Sequence, residues 1–360
     1  MKGIAIANEL SKLIYDLIYL REGRKIESEV LEEKGILPNF ERFERNTKYD
    51  FPNIKEIIEK FVSRKIKVDL KIRNEIELLE YYIQHEFKNS KLKEYSLKIK
   101  NMIDSHSVDI VTLEEMLEDN LFFAIYAVAR PLNIMKYVSG SYFAPIDLII
   151  LSFPTIRDAT CRAFYTKKIP PSRLEREERT LTKVILGEEI THFVGKSLIL
   201  QDDYLKEQIL LKYYELGKYA MGFLEKEAFE NQLSRYLFYD LELADIRLPL
   251  YLPNTIVEKR KEEVLSLGEL IKVHSHLARL SEGLAKFIAK AAILEKNPQF
   301  KDFYLVNVKT PEDTLVHSYI YFFESCYKQI GNSIFEKVNL FPPTSEEILQ
   351  PSLYLQRVGK

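Results

Sequence analysis

An all-α fold is what this sequence predicts, and three observations predict it. Glycine is scarce, with 12 in 360 residues, while Leu, Ile, Glu and Lys are abundant. That mixture suits helix interiors, where Gly costs about 1 kcal/mol relative to Ala. Apolar residues recur at helical spacing through most of the chain, and prolines fall between the stripes.

The elements follow in order. Leu10, Leu13, Leu17 and Leu20 share one face of an N-terminal helix. Met1–Leu20 has the outline of a signal peptide, but Glu9, Lys12 and Asp16 interrupt it and no small-residue cleavage site follows. Further stripes run through Ile54–Val62, Ile76–Phe87 and Leu113–Ala129. Ile209, Tyr213, Leu216, Ala220 and Phe223 line one helical face, and later stripes cover Leu265–Ile293 and Leu315–Phe335. Breaks fall at Gly35–Pro38, Pro131, Pro145, Pro170–Pro171, Pro249–Pro253, Pro298, Pro311 and Pro342–Pro343. Proline lacks the amide proton and clashes with the preceding turn, so each is read as a helix end or loop corner. A short strand fits near Phe303–Val308; no parallel sheet with crossovers is expected.

Bulk properties narrow the function classes. Apolar residues make up 46% and charged residues 29%, the balance of a globular protein and not of a disordered one. The formal charge is −2, from 52 basic and 54 acidic side chains. Unspecific nucleic-acid binding calls for a basic excess or stripe, and the Lys-rich stretch Lys55–Lys71 is interleaved with acids and apolar residues. The most apolar runs, Leu121–Ala129 and Ile146–Phe153, fall short of the about 20 residues a membrane span needs, so a soluble protein is expected. Cys161 and Cys326 make no metal or redox spacing and read as buried thiols of a reducing compartment.

The chemistry-bearing motifs are incomplete. There is no phosphate-binding glycine loop and no nucleophile elbow. Glu189 and His192 form one ExxH step preceded by Glu188, the spacing of di-iron bundles, which need two such steps and two further Glu residues. A solvated or capping role is expected instead. His274 and His276, with Arg279 following, would share a face on a strand but point apart on a helix, and the local pattern is helical. Asp202–Asp203 resembles an aspartate-rich magnesium motif whose partner cluster is missing, since Glu118–Asp119 lacks its form. Capping of a helix N-terminus explains the pair better. No catalytic residue, metal or cofactor is expected.

Three segments repeat a rhythm of apolar helix, basic residue and proline corner: Ile146–Pro171, Tyr239–Pro253 and Ser318–Pro343. They suggest stacked helical units at 1–172 (with the N-terminal helices), 173–254 and 255–360. Together they resemble the C-subunit family of archaeal-type rotary ATP synthases, which is related to the d-type subunits of the vacuolar pump. The second segment matches best, Leu233–Arg247 reading LSRYLFYDLELADIR, with Asp245 where the family usually has Asn before the basic Arg247. In the first, Arg162 and Ala163 fit, but Phe153 and Ile156 occupy the Asp and Asn positions. In the third, Tyr319, Glu324 and the Glu346–Ile348 ending match. The resemblance implies three similar helical units arranged as a pseudo-three-fold funnel. It implies a non-catalytic central-stalk role with rotor shaft subunits and the membrane ring as partners, on the cytoplasmic side and touching membrane only through them. The alternative is a helical subunit of a nucleic-acid-processing complex, of CRISPR effector or primase type, in which the abundant Tyr and Phe stack on bases.

Overall fold

Short polar side chains set where many of the helices begin. Asn39, Asn89, Asp109 and Asn120 each accept amide protons of the following turn, supplying partners that a helix N-terminus lacks. Thr344 and Glu347 close a reciprocal capping box. The fold is seen in a computed structural model that describes residues 2–85, 88–167, 169–220, 258–294 and 311–359. It is mostly helical, as the composition predicts.

The chain divides by contact into two compact units, each assembled from separated segments. One comprises Met1–Glu27, Asn74–Val138 and Asp203–His274. It holds most of α1 (Lys2–Glu33), then α3 (Glu75–His85), α4 (Ser90–Asp104), α5 (Ile110–Asp119) and α6 (Leu121–Tyr137). Its centre is α6, against which α3, α4 and α5 pack. Every residue from Leu121 to Leu132 is buried. Arg24 of α1 donates to the carbonyls of Met135 and Lys136, placing a cation on the last carbonyls of α6. Most of α9 (Lys196–Ala220) also belongs here, burying Ile209, Tyr213 and Leu216 as the stripe predicts.

The other unit comprises Ser28–Arg73, Ser139–Asp202 and Ser275–Lys360. Here α2 (Phe40–Val62) packs along α8 (Pro171–His192), and α7 (Phe153–Lys167) packs against α8 as well. From Ser275 on, α10 (Lys261–Ala289) belongs to this unit, and it ends in a π turn at Lys290–Leu294. It is followed by α11 (Pro311–Ile330), α12 (Ser333–Leu340), α13 (Ser345–Leu349) and α14 (Pro351–Val358). Cys161 and Cys326 are buried and neither is joined in a disulfide, and burial pushes the Cys326 thiol up to about 12.

Two expectations are corrected. First, this unit contains a small mixed sheet. β3 (Leu148–Ser152) lies between β1 (Asp69–Arg73), which is parallel to it, and β2 (Gly140–Phe143), which is antiparallel. Asp69 stands opposite Leu148 and Arg73 opposite Ser152. All five residues of β3 are buried, so the run that reads as one apolar stretch is a central strand covered on both faces. Secondly, Pro131 does not end a helix but sits inside α6. The roughly 3 kcal/mol cost of an interior proline is offset by its buried neighbours, each worth about 1.5–3 kcal/mol per large side chain. The suggested strand at Phe303–Val308 lies outside the described residues, as do Pro249–Pro253 and Pro298. The expected serial units 1–172, 173–254 and 255–360 divide the chain by sequence rhythm, and residues 221–257 of the second and third also lie outside the described residues.

Candidate functional site

The ExxH step lies on the last turn of α8, where its carboxylate and imidazole meet side chains of α10. His192 Nε2 is 3.5 Å from Glu282 Oε2, and Lys286 Nζ is 3.2 Å from Glu282 Oε1. Glu189 extends toward β2, where the backbone N–H of Tyr142 donates to its carboxylate. Close approach makes Gly140 necessary: a Cβ there would stand 2.7 Å from Ile185 Cγ2 and 3.0 Å from Glu189 Cγ. The expectation that Glu189 is solvated or caps a helix is therefore corrected. As a residue it is half-buried, but its carboxyl end is desolvated.

Burial holds the Glu189 carboxyl well above its ordinary 4.5, helped by the like charges of Glu282 and Glu188 and opposed by the Tyr142 amide. Burial pushes His192 down, against the pull of Glu282 and with the push of Lys286. Both shifts favour the uncharged form of the group, the carboxylic acid of Glu189 and the neutral imidazole of His192. His192 Nδ1 is buried and meets no hydrogen-bond partner. Among the described residues, no three or more His, Cys, Asp or Glu side chains are arranged to hold a metal ion.

The sign of the linkage gives a test. Glu189 binds a proton in the folded chain at pH values where the unfolded chain has released it. Its stability contribution is therefore full below about pH 4.5 and lost as pH rises toward the folded value. Glu189→Gln keeps an acceptor for the Tyr142 amide and removes that loss. Thermal melting is expected to show the variant above the native chain at about pH 8 and level with it at about pH 4. An equal difference at both would mean that Glu189 is not the titrating group.

The second motif, His274 and His276, lies on α10, where residues two apart do not share a face. His276 Nε2 donates to the Pro343 carbonyl at 2.7 Å, which fixes the tautomer and leaves Nδ1 to accept from the Tyr319 hydroxyl at 3.0 Å. Arg279 also hydrogen-bonds the Tyr319 oxygen. α10 and α11 can approach this closely because Gly283 faces Tyr319; a Cβ on it would come within 2.5 Å of Tyr319 Cβ. One turn of α11 further on, Glu324 pairs with Lys290 at 2.6 Å. Two of the repeat landmarks, Tyr319 and Glu324, thus tie α11 to α10 and its closing turn. Arg162 is exposed and pairs with Asp158 of its own helix at 3.4 Å. Asp245 and Arg247 lie outside the described residues.

Asp202 and Asp203 require a correction. α9 starts at Lys196, so the pair sits in its second turn and does not cap its N-terminus. Glu118–Asp119 closes α5, where Asp119 accepts from the Tyr95 hydroxyl at 2.5 Å and pairs with Lys91 at 2.8 Å.

A densely bonded polar residue belongs to no motif. Arg157 of α7 is buried and pairs with Glu178 at 2.8 Å and Glu32 at 2.7 Å. It also donates to Ser28 Oγ at 3.0 Å and to the Pro38 carbonyl at 2.6 Å. Its guanidinium carbon stands 4.5 Å from the centroid of the Phe153 ring. Beside it, Arg179 forms a two-pronged bond to Asp50 at 2.7 and 2.8 Å. Asp50, Glu178 and Arg179 line a small indentation between α2 and α8. Comparison with protein families, curated proteins and solved structures finds no match for the chain.

Proposed function

We propose that this chain is a non-catalytic member of a larger assembly and acts through contact. The observation that carries the reading is that several side chains of its chemistry-bearing motifs, together with Arg157, are engaged in contacts within the fold. Glu189 and His192 face Glu282 and Lys286, His276 is gripped by Tyr319 and Pro343, and Arg157 is enclosed by two carboxylates. Groups held in this way stiffen a fold, since close-packed interiors are poorly compressible and transmit strain.

The assembly implied by the resemblance is a rotary ATP synthase or ATPase. The chain would be its central-stalk element, a funnel of three helical units coupling the rotor shaft to the membrane ring. Support comes from Tyr319 and Glu324, family-like positions that brace α10 against α11. No helix among the described residues is long and apolar enough to cross a membrane; in this reading the chain reaches the membrane only through its partners. Affinity purification of a tagged chain from its native cells is expected to bring down shaft and ring proteins. Recovery without either sinks the rotor reading, and recovery with nucleic-acid-processing proteins moves the assignment to that class.

A further inference from the structure

Helix α1 is apolar on two sides. Leu10, Ile14, Leu17 and Ile18 face inward and are buried. On the outer side Tyr15, Tyr19 and Ile26 are exposed, Tyr19 at 71% and Ile26 at 59%. These three residues lie in line along the helix and leave a partly apolar stripe uncovered on the side opposite the buried face. The outer stripe continues through polar positions, reading Asn8, Lys12, Tyr15, Tyr19, Glu22 and Ile26. Successive members are four and three residues apart, the spacing of a seam along which two helices meet.

That order has a symmetry that selects the occupant. Counted from the level of Leu17, Tyr15 and Tyr19 are equidistant, and so are Lys12 and Glu22. We propose that this face of α1 pairs antiparallel with α1 of a second copy of the chain, about a two-fold axis at the level of Leu17. Each Lys12 then meets Glu22 of the other copy, and each Tyr15 meets the other Tyr19, with Ile26 facing Asn8 at the rim. A two-fold contact demands a self-complementary patch of this kind, in which one residue's partner is itself partnered in return. An unrelated apolar partner would need neither the opposite charges nor their equal spacing. The side chains are free to rearrange: Lys12 pairs with Glu9 of its own helix and Glu22 with His106, both at the surface, where such pairs are worth little.

The stripe spans 19 residues, about 28 Å of helix at roughly 1.5 Å per residue. Such a contact belongs to the small class that buries less than about 1,200 Å² in all, so association is reversible and concentration-dependent. The pairing does not depend on which larger assembly the chain joins.

Sedimentation of the full chain over a concentration series tests it. The native chain is expected to pass from monomer to dimer. Lys12→Glu and Glu22→Lys are each expected to weaken the dimer about tenfold or more, the effect of roughly 1.4 kcal/mol, and the double reversal to restore it. Tyr19→Ser, a second exposed change, is expected to weaken it as well, with circular dichroism confirming unchanged helix content. A monomer at every concentration overturns the proposal. So does self-association indifferent to Tyr19→Ser, or a double reversal no better than the single ones.

Discussion

Replacing Arg157 with methionine is expected to destabilise the chain by about 3–5 kcal/mol, the cost of breaking a buried ion pair from one side. Methionine fills much of the same space, so the loss is electrostatic more than steric. It leaves Glu178 buried without its counter-charge, takes the guanidinium donor from the Pro38 carbonyl and the Ser28 hydroxyl, and leaves Glu32 with the Ser28 hydroxyl in place of a cation. Burial already raises the Glu178 carboxyl, and the attraction of Arg157 is what opposes that rise. Without Arg157 the group rises further and takes up a proton at a higher pH. The defect should therefore be largest at neutral pH and shrink toward pH 4, where Glu178 is protonated in both folded and unfolded chains. Arg157→Lys is expected to rescue little. An ammonium is a point charge and cannot bridge two carboxylates, a hydroxyl and a carbonyl as a planar fork does. Denaturant unfolding at the two pH values measures this, and an equal loss at both would mean that the packing of the side chain, not its charge, is what holds the site.

Arg157 also shows where motif reading stops. In LIILSFPTIRDATC the arginine follows a long apolar run, and a charge so placed is either at a surface or paired inside. Arg162, five residues on, is the one that matches a repeat landmark; the structure leaves it exposed beside Asp158 and makes Arg157 the hub. The deciding fact is not local: Glu32 and Glu178, far away along the chain, arrive on either side of the guanidinium.

Helices were legible because their periodicity is local. The stripe Ile209, Tyr213, Leu216 is buried as its spacing required, and Leu265–Ile293 falls within α10 and its closing turn. The sheet was not legible, for a physical reason. β3 is buried on both faces, so it shows no alternation, and a short continuous apolar run reads equally as strand or helix. β1, DLKIR, is only five residues long and finds its partner strand across α3 to α6 in the sequence. Pro131 misled for a related reason: a local breaker lost to burial set by tertiary packing. The site followed the same pattern. The ExxH spacing located Glu189 and His192 on one helix, but the desolvation of Glu189 depends on β2 and α10, which spacing along α8 cannot reveal.

Phe287→Ala is expected to cost about 3–5 kcal/mol as well, the range for emptying a buried aromatic site. Phe287 is 4% exposed and its ring is the common neighbour of four others. Phe61 of α2, Phe323 and Tyr327 of α11 and Phe335 of α12 stand 6.4, 6.2, 5.5 and 6.5 Å away between centroids. Those rings also stack on one another, Phe61 on Tyr327 at 5.3 Å and Tyr327 on Phe335 at 5.9 Å. Truncation at the hub therefore removes four ring contacts together and leaves a void that rigid neighbours fill poorly. Phe287→Leu, which keeps most of the volume, should cost markedly less. A chain built of two compact units need not unfold in one step, so hydrogen exchange is the better readout. Protection is expected to fall in α10 through α12 and at the end of α2, the elements that meet at this ring. If exchange there stayed at the native rate in Phe287→Ala, the aromatic stack would be no more than a lining, and the bracing of α10 against α11 would rest on Gly283, Tyr319 and the Lys290–Glu324 pair alone.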